Sequence, residues 1–264
     1  MTTLPRKAPV FFISHGAPTF ALEPGVLGPQ LGALGEQLAD VRAVLVVSAH
    51  WQTQGVQVMA TAAPDTIHDF GGFPLALYQL RYAAAGNPEL ATEVGALLGE
   101  AGLNVGLDVR RGLDHGAWVP LWHLLPKANI PVFQVSMPHN LSTQGALQLG
   151  QALAAMRERG VAVVASGSMT HNLYEIEHTN APPQDYAVEF AHWVRQTVAA
   201  NDVRRLVDYR KLAPHAQRAH PTEEHFLPLL VAMGARADDD ALQVIQGDIT
   251  HGVLSMESYA WGLV

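Results

Sequence analysis

Cysteine is absent from this chain of 264 residues. That removes disulfides, thiolate zinc sites and thiol nucleophiles together. No apolar run approaches the roughly 20 residues of a membrane-spanning helix, so no membrane partner is expected. Positive charge is scarce: 16 Lys and Arg against 24 Asp and Glu leave a formal charge of −8. No basic stripe offsets that balance, which argues against nucleic acid. Arg110-Arg111 and Arg204-Arg205 are isolated pairs and read as solvated surface. The opening Met1-Thr2-Thr3-Leu4-Pro5-Arg6-Lys7 has no apolar stretch of the signal-peptide kind, so a cytoplasmic protein is expected. The zinc-protease pattern H-E-x-x-H is missing, as are repeats and low-complexity tracts.

What remains is ample core material, with 48% hydrophobic and 15% charged residues. Runs rich in Val, Ile and Phe alternate with helical stretches. This predicts a single-domain, three-layer αβα sandwich around a mostly parallel, mixed sheet, with residues 1–264 forming one catalytic domain. Strands are expected at 9–14, 43–48, 56–60, 103–109, 131–136, 161–166, 242–246 and 253–258. Helices are expected at 27–38, from Asn87 to about 101, at 142–159, at 186–200, and from a Thr222 cap through 233. Asn87-Pro88-Glu89 is a strong start signal, combining a cap residue, a first-turn proline and an acid near the positive dipole end.

Six of the 13 histidines stand where strand-like runs end or helices begin. They are His15, His50, His68, His115, His171 and His225. In an open α/β sheet, parallel strand ends converge on one rim, where ligands bind. Neutral imidazole is a preferred ligand for zinc and non-haem iron. His15 follows Val10-Phe11-Phe12-Ile13-Ser14 and His50 follows Val44-Leu45-Val46-Val47-Ser48-Ala49, each beside small residues that allow a ligand close to the backbone. Two histidines at adjacent strand ends invite a metal, although neither spacing is a zinc motif by itself. His123, His139, His178, His192, His215, His220 and His251 read as surface or hydrogen-bonded core residues.

Six segments, in order, resemble the class III extradiol ring-cleaving dioxygenases, within them the 4,5-DOPA extradiol dioxygenase-like group. They are Ser14-His15-Gly16-Ala17-Pro18, Ser48-Ala49-His50-Trp51, Ile67-His68-Asp69-Phe70-Gly71-Gly72-Phe73-Pro74, Asp114-His115-Gly116-Ala117-Trp118, Ser166-Gly167-Ser168-Met169-Thr170-His171-Asn172-Leu173, and Pro221-Thr222-Glu223-Glu224-His225-Phe226-Leu227-Pro228-Leu229-Leu230. The resemblance implies a metal held by His15, His50 and His225. It puts His171 at the position of an acid/base that can also close on the metal as a fourth ligand, and His115 beside the substrate and oxygen pocket. Asn172 is available to orient His171, whose Gly- and Ser-bearing loop is expected to be flexible enough to swing. A carboxylate ligand from Glu223 or Glu224 stays open, but on a helix Glu224 and His225 would point about 100° apart and would not share an ion.

The implied chemistry opens the ring of a catechol, DOPA-like or other, with O2. Fe(II) is the cofactor expected for activity, and Zn(II) is a plausible occupant of the same site. The partners are a small aromatic diol and O2, and the chain allows a homo-oligomer. Two alternatives use the same residues: a zinc-dependent hydrolase with a metal-activated water, and a non-enzymatic metal- or ligand-binding protein.

Overall fold

The structure, a computed structural model, describes residues 7–263. Residues 1–6, read above for a leader, lie outside the described residues, as does Val264. Six strands form the central sheet: β1 (Val10–Ser14), β2 (Ala43–Ser48), β3 (Val132–Gln134), β4 (Val161–Gly167), β5 (Leu242–Ile245) and β6 (Ser258–Trp261). Their order is β3-β2-β4-β1-β6-β5. β3, β2, β4 and β1 run parallel, while β6 is antiparallel to both β1 and β5. The mixed, mostly parallel sheet expected from the sequence is therefore present. β1, β2 and β4 are buried along their whole length, as continuous apolar runs covered on both faces should be.

The helices that matter for the site are α1 (Leu27–Gly35), α2 (Pro88–Glu100), α3 (His115–Leu124), α4 (Thr143–Leu153), α5 (Asp185–Ala199) and α6 (Leu227–Ala235). α1 packs with α3, and α4 packs with α6. The second pair approaches closely because Gly150 and Gly234 have no side chain. A Cβ on Gly150 would stand 2.0 Å from the Val231 carbonyl, and one on Gly234 2.1 Å from that of Leu147. Asn87 caps α2 by accepting from Leu90 N–H, as the start signal predicts.

Three expectations need correction. Val56–Met59 and Val105–Asp108 are strands, but they pair with each other in a separate two-stranded sheet. The late strand expected at 253–258 is broken into Leu254–Ser255 and β6, with Met256-Glu257 between. The helix expected from a Thr222 cap begins at Leu227 instead. Pro228 tolerates only the first turn of a helix, so the chain from 222 to 226 is a turn. Thr222 Oγ1 donates to Glu224 Oε1 rather than capping. Among the described residues, no helix is long and apolar enough to cross a membrane.

Candidate functional site

Strand register builds one rim. Ser14 of β1 pairs with Gly167 of β4, and Ser48 of β2 pairs with Ser166 of β4. The three strands thus end level, and the residues just beyond them meet. His15 N–H donates to Gly167 O at 2.9 Å, and Ala49 N–H donates to Ser166 O at 3.0 Å. These bonds carry His15 and His50 across the end of β4 until their Nε2 atoms are 3.0 Å apart.

His225 arrives from the turn ahead of α6. Gly167 makes room, since a Cβ there would lie 2.2 Å from the His225 carbonyl oxygen. Its Nε2 stands 3.2 Å from that of His50. The outward nitrogens are held: His15 Nδ1 lies 2.9 Å from Ser166 Oγ, and His225 Nδ1 lies 3.1 Å from Glu224 Oε1. The expectation that Glu224 points away from His225 assumed a helix. In the observed turn the two side chains touch.

This donor set fits a transition-metal ion. A carboxylate accepts and does not donate, so the single proton of neutral His225 belongs on Nδ1, which leaves a bare lone pair on Nε2. That lone pair is aimed at the Nε2 of His50, beside the Nε2 of His15. Inward nitrogens with outward nitrogens anchored by oxygen are the arrangement that orients imidazoles around a metal. Among the described residues, two groups have ligand atoms all within 4.8 Å of one another: His15, His50 and His115, and His171, Glu224 and His225.

His115 is the first residue of α3. Asp114 is the cap, accepting from Ala117 N–H, and its carboxylate also takes the Ser48 hydroxyl at 2.6 Å and Arg111 Nη2 at 2.8 Å. The His115 ring lies 3.9 Å from that of His50, centroid to centroid, with Phe70 edge-on at 5.7 Å. Gly116 permits this approach, because a Cβ there would meet Ser48 Oγ at 2.3 Å. His68 stays outside the cluster. Its Nε2 faces Leu80 O at 3.2 Å, and its ring sits among Phe70, Tyr78 and Trp118. The neighbouring Asp69 reaches in instead, which the histidine count alone does not signal.

His171 stacks on His225 with centroids 3.5 Å apart and planes at 8°. Imidazole lone pairs lie in the ring plane, so two parallel rings do not converge on one ion. In this rotamer His171 is a neighbour of the metal site, and a ligand role requires its ring to turn. The loop carrying it is not free to swing. Met169 N–H donates to Ser14 Oγ, Thr170 Oγ1 to Val253 O, and His171 N–H to Ala219 O. Buried His220 adds a fourth tie from Nε2 to Met169 O at 2.9 Å. Motion is left to the side chain. Asn172 uses its side chain on Tyr174 N–H and Glu175, not on His171.

Burial, then repulsion among the rings, sets the charge state. Desolvation lowers His50 to about 4, with His115 the next cause, and pushes His15 and His225 well below the usual histidine range. His171 falls to about 4, again mainly through burial, although Glu224 opposes the shift. All four rings are therefore neutral near pH 7, the form that binds metal and accepts protons. Burial would raise the Asp69 carboxyl, but contacts with His115, and then His50, outweigh it and bring it to about 2. A cavity of about 560 Å³ lies beside Ala17 and Met256, lined by Phe20, Glu23, Ile249 and His251, and includes none of the clustered histidines.

The family described as the catalytic LigB subunit of aromatic ring-opening dioxygenase matches residues 29–260. A 4,5-DOPA dioxygenase extradiol of Beta vulgaris is 39% identical over 253 residues, 94% of this chain and 94% of that protein. Its namesake from Escherichia coli K12 is 37% identical over 261 residues, 97% and 95% of the two chains. A crystal structure of an uncharacterized Escherichia coli K12 protein aligns with a TM-score of 0.79 at 32% identity, covering 96% of this chain and 99% of that one.

Proposed function

We infer the reaction from one premise: this chain belongs to the family of the catalytic LigB subunit of aromatic ring-opening dioxygenase. It is a metal-dependent extradiol dioxygenase, an oxidoreductase that opens an aromatic ring with O2. Residues 1–264 act as one catalytic domain in this reading. The finer proposal is that the ring is a catechol, DOPA-like as the names of the relatives suggest, and that the metal is Fe(II). His15, His50 and His225 hold the ion. The observation that carries this assignment is the meeting of their three Nε2 atoms at His50, with Ser166 and Glu224 on the outward nitrogens of the other two. Hydrolysis and simple metal storage lack support from the family.

When bound, Fe(II) supplies the redox chemistry that joins catechol and O2, which redox-inert Zn(II) does not. The chain's own residues handle protons and position. His171 and His115 both adjoin the ligand cluster, stacked on His225 and against His50 respectively. The neutral His171 imidazole, pressed to about 4 mainly by burial, accepts a hydroxyl proton weakly, so it readily returns that proton as the ring opens. Phe70, edge-on to His115, supplies an aromatic wall near the reacting ring. The bond that breaks lies next to the two hydroxyl-bearing carbons, not between them, and the product is a ring-opened semialdehyde. The test is a catechol panel with anaerobically prepared Fe(II) protein. A yellow product with matching oxygen uptake is expected. Consumption of catechol without ring opening would contradict the reading.

A further inference from the structure

Asp69 makes contacts beyond those that holding a metal requires. Its Oδ1 accepts from His115 N–H at 2.9 Å and stands 3.0 Å from His115 Nδ1, a charge contact outside hydrogen-bond geometry that leaves no other partner on that nitrogen. Its Oδ2 is 3.9 Å from His50 Nδ1. Among the described residues it forms no ion pair with Lys or Arg, whereas Asp114, the cap of the same helix, is paired with Arg111. The carboxylate therefore serves the first N–H of α3 beside the Asp114 cap and is not neutralised by a cation. It is spent on two histidines of the site.

The chain takes care to deliver it there. Ile67 N–H donates to Leu113 O at 2.7 Å, and Leu113 N–H donates to Asp65 O at 2.8 Å. Trp118 Nε1 donates to Ile67 O at 3.0 Å, so the segment bearing Asp69 is tied to the helix bearing His115. His115 is then enclosed by Asp69, by Phe70 edge-on, by His50 at 3.9 Å and by His15 at 5.5 Å. A carboxylate facing one imidazole nitrogen favours the proton on that nitrogen and fixes the ring's orientation.

We propose that Asp69 is a positioning residue for ring opening, holding the His115 imidazole in one tautomer and one orientation against the metal-ligand histidines. The proposal rests on the dioxygenase reading of the site, and its test separates the two. The variants are Asp69→Ala, Asp69→Asn, His115→Ala and the Asp69→Ala/His115→Ala double, each loaded with Fe(II) and assayed on a catechol that the unaltered enzyme cleaves. Asp69→Ala lowers kcat roughly 10–100-fold, the usual loss for an outer partner of a site histidine, with KM nearly unchanged and metal content intact. Asp69→Asn, which keeps an acceptor oxygen at the same place, recovers part of that loss. In the His115→Ala background, Asp69→Ala costs nothing further, because the group it acts through is gone.

Unchanged kcat in Asp69→Ala overturns the proposal, and so does an equal loss repeated in the double variant. Loss of metal from Asp69→Ala also overturns it, since the carboxylate would then act through His50. A second readout needs no turnover. In the apoprotein, the imidazole ¹⁵N signals of His115, assigned by their absence in His115→Ala, show a single tautomer that becomes a mixture in Asp69→Ala. Identical signals in the two proteins contradict the proposal. An unaltered enzyme that cleaves no catechol counts against the function reading alone, and the nitrogen signals still decide for Asp69.

Discussion

At the scale of the residue, the stacked pair of His171 and His225 decides which role each ring can play. With planes at 8° the two rings do not converge on one point, which fits His225 as the proposed ligand and His171 as the proposed acid/base. His171→Phe keeps the stack and all three ligands, so metal content should stay near that of the unaltered protein. Ring cleavage should fall by about 10²–10⁴-fold, the range for loss of a general acid/base. Near-normal turnover would leave His115 as the proton carrier. His220 gives a prediction of another kind. Burial, the main cause, brings it to about 3 from an ordinary value of 6.5, although its bond to Met169 O opposes the shift. Between those values the unfolded chain takes up a proton that the folded chain refuses, so stability is complete above about pH 6.5 and is lost as pH falls toward 3. His220→Phe removes this dependence, and leaving Met169 O unpaired costs about 1–3 kcal/mol at pH 7. Urea midpoints of the two apoproteins at pH 7 and pH 5 check both. A gap that does not narrow at pH 5 would contradict the assignment.

At the scale of the element, the site depends on gaps as much as on ligands. Gly167 ends β4 directly under the His225 carbonyl, where a Cβ would be 2.2 Å away. Gly167→Ala forces β4 and the turn before α6 apart, at a cost of about 1–3 kcal/mol for overpacking. The expected result is a drop in metal content measured by plasma emission, although no ligand has been altered. Full metal occupancy in a folded variant would count against the close approach.

Elements that are long and strongly patterned were legible in the sequence: β1, β2 and β4 fall within a residue or two of expectation because continuous burial writes itself as apolar runs. So did His15 and His50, which simply follow such runs. α3 was not legible, because Gly112, Gly116 and Pro120 look like loop or breaker residues, while the Asp114 cap works only once Ser48 and Arg111 have come near it. The start of α6 was misplaced for the opposite reason: Thr222-Glu223-Glu224 mimics a cap, but Pro228 allows only a later start. Asp69 went unread as a partner of His115 because their contact spans 46 residues and has no local signature.

At the scale of the molecule, the fold brings together histidines that the sequence spreads from His15 to His225. The cluster exists only in the folded chain, so metal binding should stabilise it by linkage, about 2.7 kcal/mol when free metal is 100 times Kd. Calorimetry of apoprotein with added Zn(II) should show a higher Tm, and His15→Ala, His50→Ala or His225→Ala should abolish the shift. An undiminished shift in all three variants would remove them from the ligand set. Family membership, the parallel rim and the neutral histidines all converge on oxygen-dependent ring cleavage at this cluster. The most direct test is oxygen-electrode kinetics on apoprotein reloaded anaerobically with either Fe(II) or Zn(II) and given a DOPA-like catechol. Fe(II)-dependent ring cleavage predicts one O2 consumed for each catechol opened with Fe(II), none with Zn(II), and inhibition when Zn(II) competes. Equal turnover with Zn(II), or hydrolysis of an ester or amide without oxygen uptake, would contradict it.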